Sequence, residues 1–179
     1  FPEFTLPEHV ATRAVAAAAS DLAAMAADPL AMTLALTLPD PDELWLHSFS
    51  QGLGRCVEAL SLPLVGGDLT RGPLSATVTV MGSVPNGGAL PRSGARPGDW
   101  LCVTHTLGDA AAGLALILGQ LQGDDEIALE DEEFLESRFY RPTARLEWVS
   151  WLREHARGAI DISDGLLADV AHMANASGC

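Results

Sequence analysis

With 179 residues, 48% of them hydrophobic, the chain can bury a core as one medium domain or two small ones, which excludes general disorder. A formal charge of -14 argues against nucleic acid and anionic membrane as partners, because both require a basic surface. All 10 basic residues are arginine, which excludes a Walker A lysine, a Schiff-base lysine and a lysine base within these residues.

Pro7 to Met25 is alanine-rich and reads as a helix, ended by Asp28-Pro29. Leu30, Met32, Leu34, Leu36 and Leu38 alternate with smaller residues, the period of a strand with one buried face. Asp40-Pro41-Asp42-Glu43 predicts a helix start, with Asp40 as N-cap and Pro41 at the first position, running to about Leu60. Leu62 to Val65 reads as a short strand entering Gly66-Gly67-Asp68, and Ser75 to Val84 as a second. Asn86-Gly87-Gly88 is a turn, and Leu90 to Gly98 a linker. Strands are expected at Trp100–Thr104 and Gly158–Ile162. Helices are expected from Asp109 to Leu121, from Pro142 to His155 and from Asp164 to Ala176. Between 123 and 133 the acidic run reads as a solvated loop or helix start. The pattern is mixed α/β with a break near Leu90.

No run of about 18 apolar residues occurs, so no membrane-spanning helix is expected. The opening Phe-Pro-Glu-Phe has no basic flank, so no signal peptide is expected. Cys56, Cys102 and Cys179 form no CxxC pair and read as reduced thiols of a cytoplasmic protein. The five histidines lack zinc spacing and read as surface or core residues.

Three segments carry candidate chemistry. In AIDISDGL, Asp161 ends an apolar run, and Ser163 and Asp164 sit where a helix begins. Two carboxylates three residues apart can converge on one cation, and helix N-terminal amides can cradle a phosphate. The simpler alternative makes Ser163 or Asp164 an N-cap. In VGGDLTRG, the glycines allow close approach of a ligand, Asp68 can reach a metal and Arg71 a phosphate; the alternative is a tight turn with a solvated acid. Ser20-Asp21 lies in a helical pattern, where an acid ordinarily faces water. Arg92 and Arg96 in RSGARPGD form a small basic cluster, and the planar guanidinium suits phosphate; a charged connector is the plainer alternative.

Taken in order, SDLAAMAADP, LTLALTLPDPDELWL, LVGGDLTRGPLS, GGALPRSGARPGDWLCVT, LGDAAAGLAL, RFYRPTARL and AIDISDGLLADVAHMANASGC resemble the thiamine-monophosphate kinase family of the aminoimidazole ribonucleotide synthetase-like superfamily. The resemblance implies an N-terminal α/β domain that dimerises (1–90 here) and a C-terminal α/β domain (91–179), both partial. It implies Mg2+-dependent transfer of the γ-phosphoryl of ATP onto thiamine monophosphate in a homodimer. It further implies metal-binding roles for Asp21, Asp68, Asp161 and Asp164, and nucleotide contacts at Gly67, Asp68, Arg92 and Ser163. Other ATP-using enzymes of the superfamily, or a catalytically silent dimerising module, are the alternatives. Ala18, Ala26 and His105 stand where the family usually has Asn, Gly and Gly. The family's GDD-type and GGEDYEL-like motifs are absent, so the chain resembles the central portion of a kinase.

Overall fold

The computed structural model describes residues 1–40, 42–121 and 127–179. Helix α1 spans Pro7–Ala24, with proline in its first turn, where the missing N–H costs nothing. Its buried face is Val10, Ala11, Val15, Ala16, Ala19, Leu22 and Ala23, single residues or neighbouring pairs recurring every three or four positions. Strand β1, Asp28–Leu38, buries Met32, Leu34, Leu36 and Leu38, as their alternation predicts; Leu30, expected on the same face, is exposed, at an irregularity in the strand pairing between Pro29 and Ala31.

Helix α2, Glu43–Leu60, leads to β2, Leu64–Arg71, and then to β3, Ser75–Ser83. The sheet order is β2-β1-β3. β1 runs parallel to β2, with α2 as the crossover, and antiparallel to β3. α1 and α2 cover one face of this sheet. Val15, Ala19, Leu22, Met32, Cys56 and Leu62 form one buried cluster, and Val10, Leu34, Leu36, Leu38 and Phe49 another.

Past a connector come α3 (Asp109–Ile117), α4 (Leu129–Tyr140), a 3-10 turn (Leu146–Trp148), α5 (Val149–His155) and α6 (Leu166–Ser177). This half is tied to the first at several points. Arg13 lies 4.3 Å over the Phe139 ring and donates to the Phe139 carbonyl. Arg153 donates to the Ala26 carbonyl at 2.7 Å and pairs with Asp28.

Several expected boundaries move. Asp42, not Asp40, caps α2: its carboxylate accepts the Trp45 N–H, while Asp40 turns away to pair with Arg71. Pro41 lies outside the described residues. β2 takes in all of GGDLTR, because each residue from Gly66 to Arg71 finds a partner on β1. The expected strands at Trp100–Thr104 and Gly158–Ile162 do not form, since neither has a ladder partner among the described residues. α3 stops at Ile117, where the amides of Leu118 and Gly119 close the last turn. No helix starts at Pro142; Arg145 adopts a left-handed conformation (φ 59°), so regular helix begins beyond it. Of the acidic run, 123–126 lie outside the described residues and Leu129–Glu133 open α4.

The accessible surface is 11189 Å², against about 8,300 Å² for a compact monomer of this mass. Apolar faces account for part of the excess: Trp100 is 93% exposed and Leu167 87%. β2 is exposed along its whole length. No helix among the described residues is long and apolar enough to cross a membrane.

Candidate functional site

The last turn of α1 carries Asp21. The connector that follows β3 passes beside it, with the Leu90 N–H bonded to the Met25 carbonyl at 3.0 Å. One residue on, the Pro91 carbonyl accepts the Ala159 N–H at 3.2 Å. Ser20 then donates its hydroxyl to Asp161 Oδ2 at 3.0 Å. Three segments distant in sequence are thus fastened side by side. Between them lies a cleft of about 130 Å³ whose polar lining is Asp21, Arg92 and Asp161.

Partial burial pushes the Asp21 carboxyl above its ordinary range, and the charge of Asp161 pushes it further; Arg92 opposes both. Asp21 also sits at the C-terminal end of α1, where the helix dipole is negative. Two carboxylates held together at such a point, with one guanidinium beside them, make a place that a cation stabilises. Among the described residues, no group of three or more His, Cys, Asp or Glu side chains could enclose a metal. The donor set is therefore two hard oxygen ligands, which fits Mg2+, an ion that commonly keeps waters and takes phosphate oxygens as its remaining ligands.

The other predicted residues lie on two further elements. Asp161 continues into an exposed loop with Ser163 and Asp164, followed by α6. Neither caps the helix. Gly165 occupies the N-cap position with φ 109° and ψ 151°, a backbone geometry that favours glycine. The amides of Ser163 and Asp164 are not open to a phosphate, because both donate to Asp169 Oδ2, at 3.0 and 3.2 Å. Asp169, which holds this loop, is the residue that sequence reasoning missed. Its only signal is an acid one turn into a helix, which ordinarily faces water, yet it is buried here.

Gly67 and Asp68 lie on β2, opposite Leu34 and Ala35, and do not line the cleft. Asp68 is exposed and accepts the N–H of its neighbour Leu69 at 3.0 Å. At Gly67 a Cβ would stand 1.9 Å from the Leu34 carbonyl oxygen, so the sheet itself requires a residue without a side chain. Arg71 is engaged locally, with the Pro39 carbonyl and the Asp40 carboxylate. The structure thus brings Asp21, Arg92 and Asp161 together, sets Ser163 and Asp164 on the adjoining loop, and holds Gly67 and Asp68 on the open strand.

Two family models divide the chain between them: residues 1–84 match the N-terminal domain of AIR synthase related protein, and residues 96–179 match its C-terminal domain. The chain belongs to the AIR synthase related family. Within it, the chain is similar to thiamine-monophosphate kinases. It is 51% identical over 173 residues to that of Escherichia coli, an alignment covering 97% of this chain and 52% of the relative. The crystal structure of thiamine-monophosphate kinase from Stenotrophomonas maltophilia superposes with a TM-score of 0.92 at 44% identity, over 99% of this chain and 57% of that one. AaThiL complexed with AMPPCP and TMP superposes with a TM-score of 0.88 at 33% identity, over 98% and 55%. The chain spans about half the length of the curated relatives it matches.

Proposed function

We propose that the intact protein is a thiamine-monophosphate kinase. It transfers the γ-phosphoryl group of ATP to the phosphate of thiamine monophosphate, giving thiamine diphosphate and ADP. A terminal phosphate oxygen of the acceptor forms the new P–O bond as the bond between the γ-phosphorus and the β,γ-bridging oxygen breaks. The convergence of Asp21, Asp161 and Arg92 on one cleft carries this reading, together with the likeness to the kinases.

Four phosphate groups meet in this reaction, and their negative charges repel. A chain with a formal charge of -14 cannot neutralise them with side chains alone. Mg2+, when bound, would supply that neutralisation and help to align donor with acceptor. Asp21 and Asp161 would hold metal at the cleft, Asp164 would offer a further carboxylate on the adjoining loop, and Asp68 another on β2, apart from the cleft. Arg92 can bind phosphate oxygens with its planar fork. Ser163 meets the nucleotide through its hydroxyl, since its amide is already bonded to Asp169. Gly67, where a side chain would run into the β1 backbone, offers only its own backbone to the nucleotide. No side chain need act as a base, because the attacking phosphate oxygen is already anionic.

The wider reading includes a cytoplasmic homodimer, with 1–90 in an N-terminal domain and 91–179 in a C-terminal one. The fully exposed β2 edge supports a subunit contact there. The test is direct: with Mg2+ and ATP, the intact protein should form thiamine diphosphate from thiamine monophosphate. No product at any Mg2+ concentration would sink the proposal.

A further inference from the structure

Asp169 is 3% exposed, and among the described residues it is the one buried charged side chain. A buried carboxylate ordinarily needs a cation or several donors. No arginine or histidine pairs with it among the described residues. Two backbone N–H groups, those of Ser163 and Asp164, meet one of its oxygens. It also lies in the first turn or so of α6, where the helix dipole favours negative charge.

Ser or Asp at a helix N-cap accepts the N–H of the second or third helical residue with its own side chain. Ser163 and Asp164 are residues suited to that task, yet the N-cap is Gly165 and no side-chain cap forms. Asp169 instead reaches back from inside the helix and accepts the amides of the two residues before the N-cap. The consequence is local and specific. The Ser163 hydroxyl and the Asp164 carboxylate make no hydrogen bond among the described residues and stand exposed beside Asp161.

We infer that Asp169 is a positioning residue for the metal–nucleotide site. It fixes the loop through the Ser163 and Asp164 amides, so that both side chains are presented to Mg2+ and ATP. The inference rests on the function proposed above for this loop. It adds a residue that touches neither ligand.

The experiment uses the intact protein with three variants: Asp169→Ala, Asp169→Asn and Asp164→Asn. ATP binding in the presence of Mg2+ is measured by calorimetry, and exchange of the Ser163 and Asp164 amides by NMR. Both amides donate to a single oxygen, so the Asn carbonyl can occupy that place. Asp169→Asn should fold and bind within about threefold of wild type, whereas Asp169→Ala should bind about tenfold or more weakly, with faster exchange at both amides. Its KM for ATP should rise while that for thiamine monophosphate stays within about twofold. The Asp169→Ala and Asp164→Asn effects should be non-additive, because one acts through the other. Wild-type ATP affinity in Asp169→Ala would overturn the inference. If Asp169→Ala fails to fold, Asp169→Asn decides: faster exchange at both amides with unchanged ATP affinity would also overturn it. Absence of product with ATP binding intact would sink the kinase reading alone, so the two can fail separately.

Discussion

Ser20 and Asp161 are 141 positions apart in the chain and share one hydrogen bond, from hydroxyl to carboxylate, at 3.0 Å. The bond joins the last turns of α1 to the segment before α6, and so sets the spacing of Asp21 and Asp161 across the cleft. A hydrogen bond to a charged acceptor is stronger than a neutral one. Replacing Ser20 by Ala should cost about 1.5–3 kcal/mol or less, since the site is only partly buried. The larger effect should be on ligand: Mg2+-dependent ATP affinity should fall several-fold. Calorimetry alongside denaturant unfolding separates the two, and an unchanged affinity would show that the spacing is held by other contacts.

Asp21 gives a pH dependence with a definite sign. Burial first, and the neighbouring Asp161 second, raise its folded-state pKa above the ordinary 3.8. The stability it contributes is therefore fully present below pH 3.8 and is lost as pH rises through the raised value. Asp21→Asn should lack this loss, and at neutral pH without Mg2+ it should melt higher than wild type. Added Mg2+ should raise the wild-type melting temperature more at pH 7 than at pH 4, and should raise that of the variant less, because Asp161 remains as a ligand. Melting curves across that range, with and without Mg2+, check both statements.

These two acids were legible as members of motifs, and the fold around them was legible where the signal is local. The alternation from Leu30 to Leu38 gave β1, and the alanine run gave α1. What failed was non-local. Trp100–Thr104 and Gly158–Ile162 have strand-like composition, but a strand requires a ladder partner, and none lies beside them among the described residues. Asp42 caps α2, while Asp40 pairs with Arg71, a partner 31 residues away that local sequence does not reveal. Asp169 was invisible because its partners lie five and six residues back, across a loop whose path only the folded chain defines.

Gly67 separates a structural from a ligand-binding reason for one residue type. A methyl group there would meet the Leu34 carbonyl oxygen at 1.9 Å, far inside contact distance. Gly67→Ala should push β2 off β1 and destabilise the protein by about 3 kcal/mol, the upper end of overpacking effects. Nucleotide affinity should fall with it. A variant of wild-type stability with poor ATP binding would instead assign the glycine to the ligand alone.

Ala26 shows how a departure from the family's usual residue can be absorbed. It links α1 to β1 with φ 54°, a left-handed conformation, and it is fully buried. Its carbonyl accepts from Arg153, whose guanidinium also pairs with Asp28, so the turn is held from outside. A left-handed alanine costs roughly 1–2 kcal/mol. Glycine would remove that strain, but it would forgo about 0.8 kcal/mol of methyl burial. It would also enlarge the unfolded ensemble by a further 0.4–1 kcal/mol or so. These terms nearly cancel, so Ala26→Gly should lie within about 1 kcal/mol of wild type. Arg153→Ala should destabilise by more than that, because it leaves the Ala26 carbonyl without its donor and Asp28 without its cation. Urea unfolding of the two variants checks the order. An Ala26→Gly protein more stable by over about 2 kcal/mol would mean that the turn stores more strain than its backbone angle alone implies.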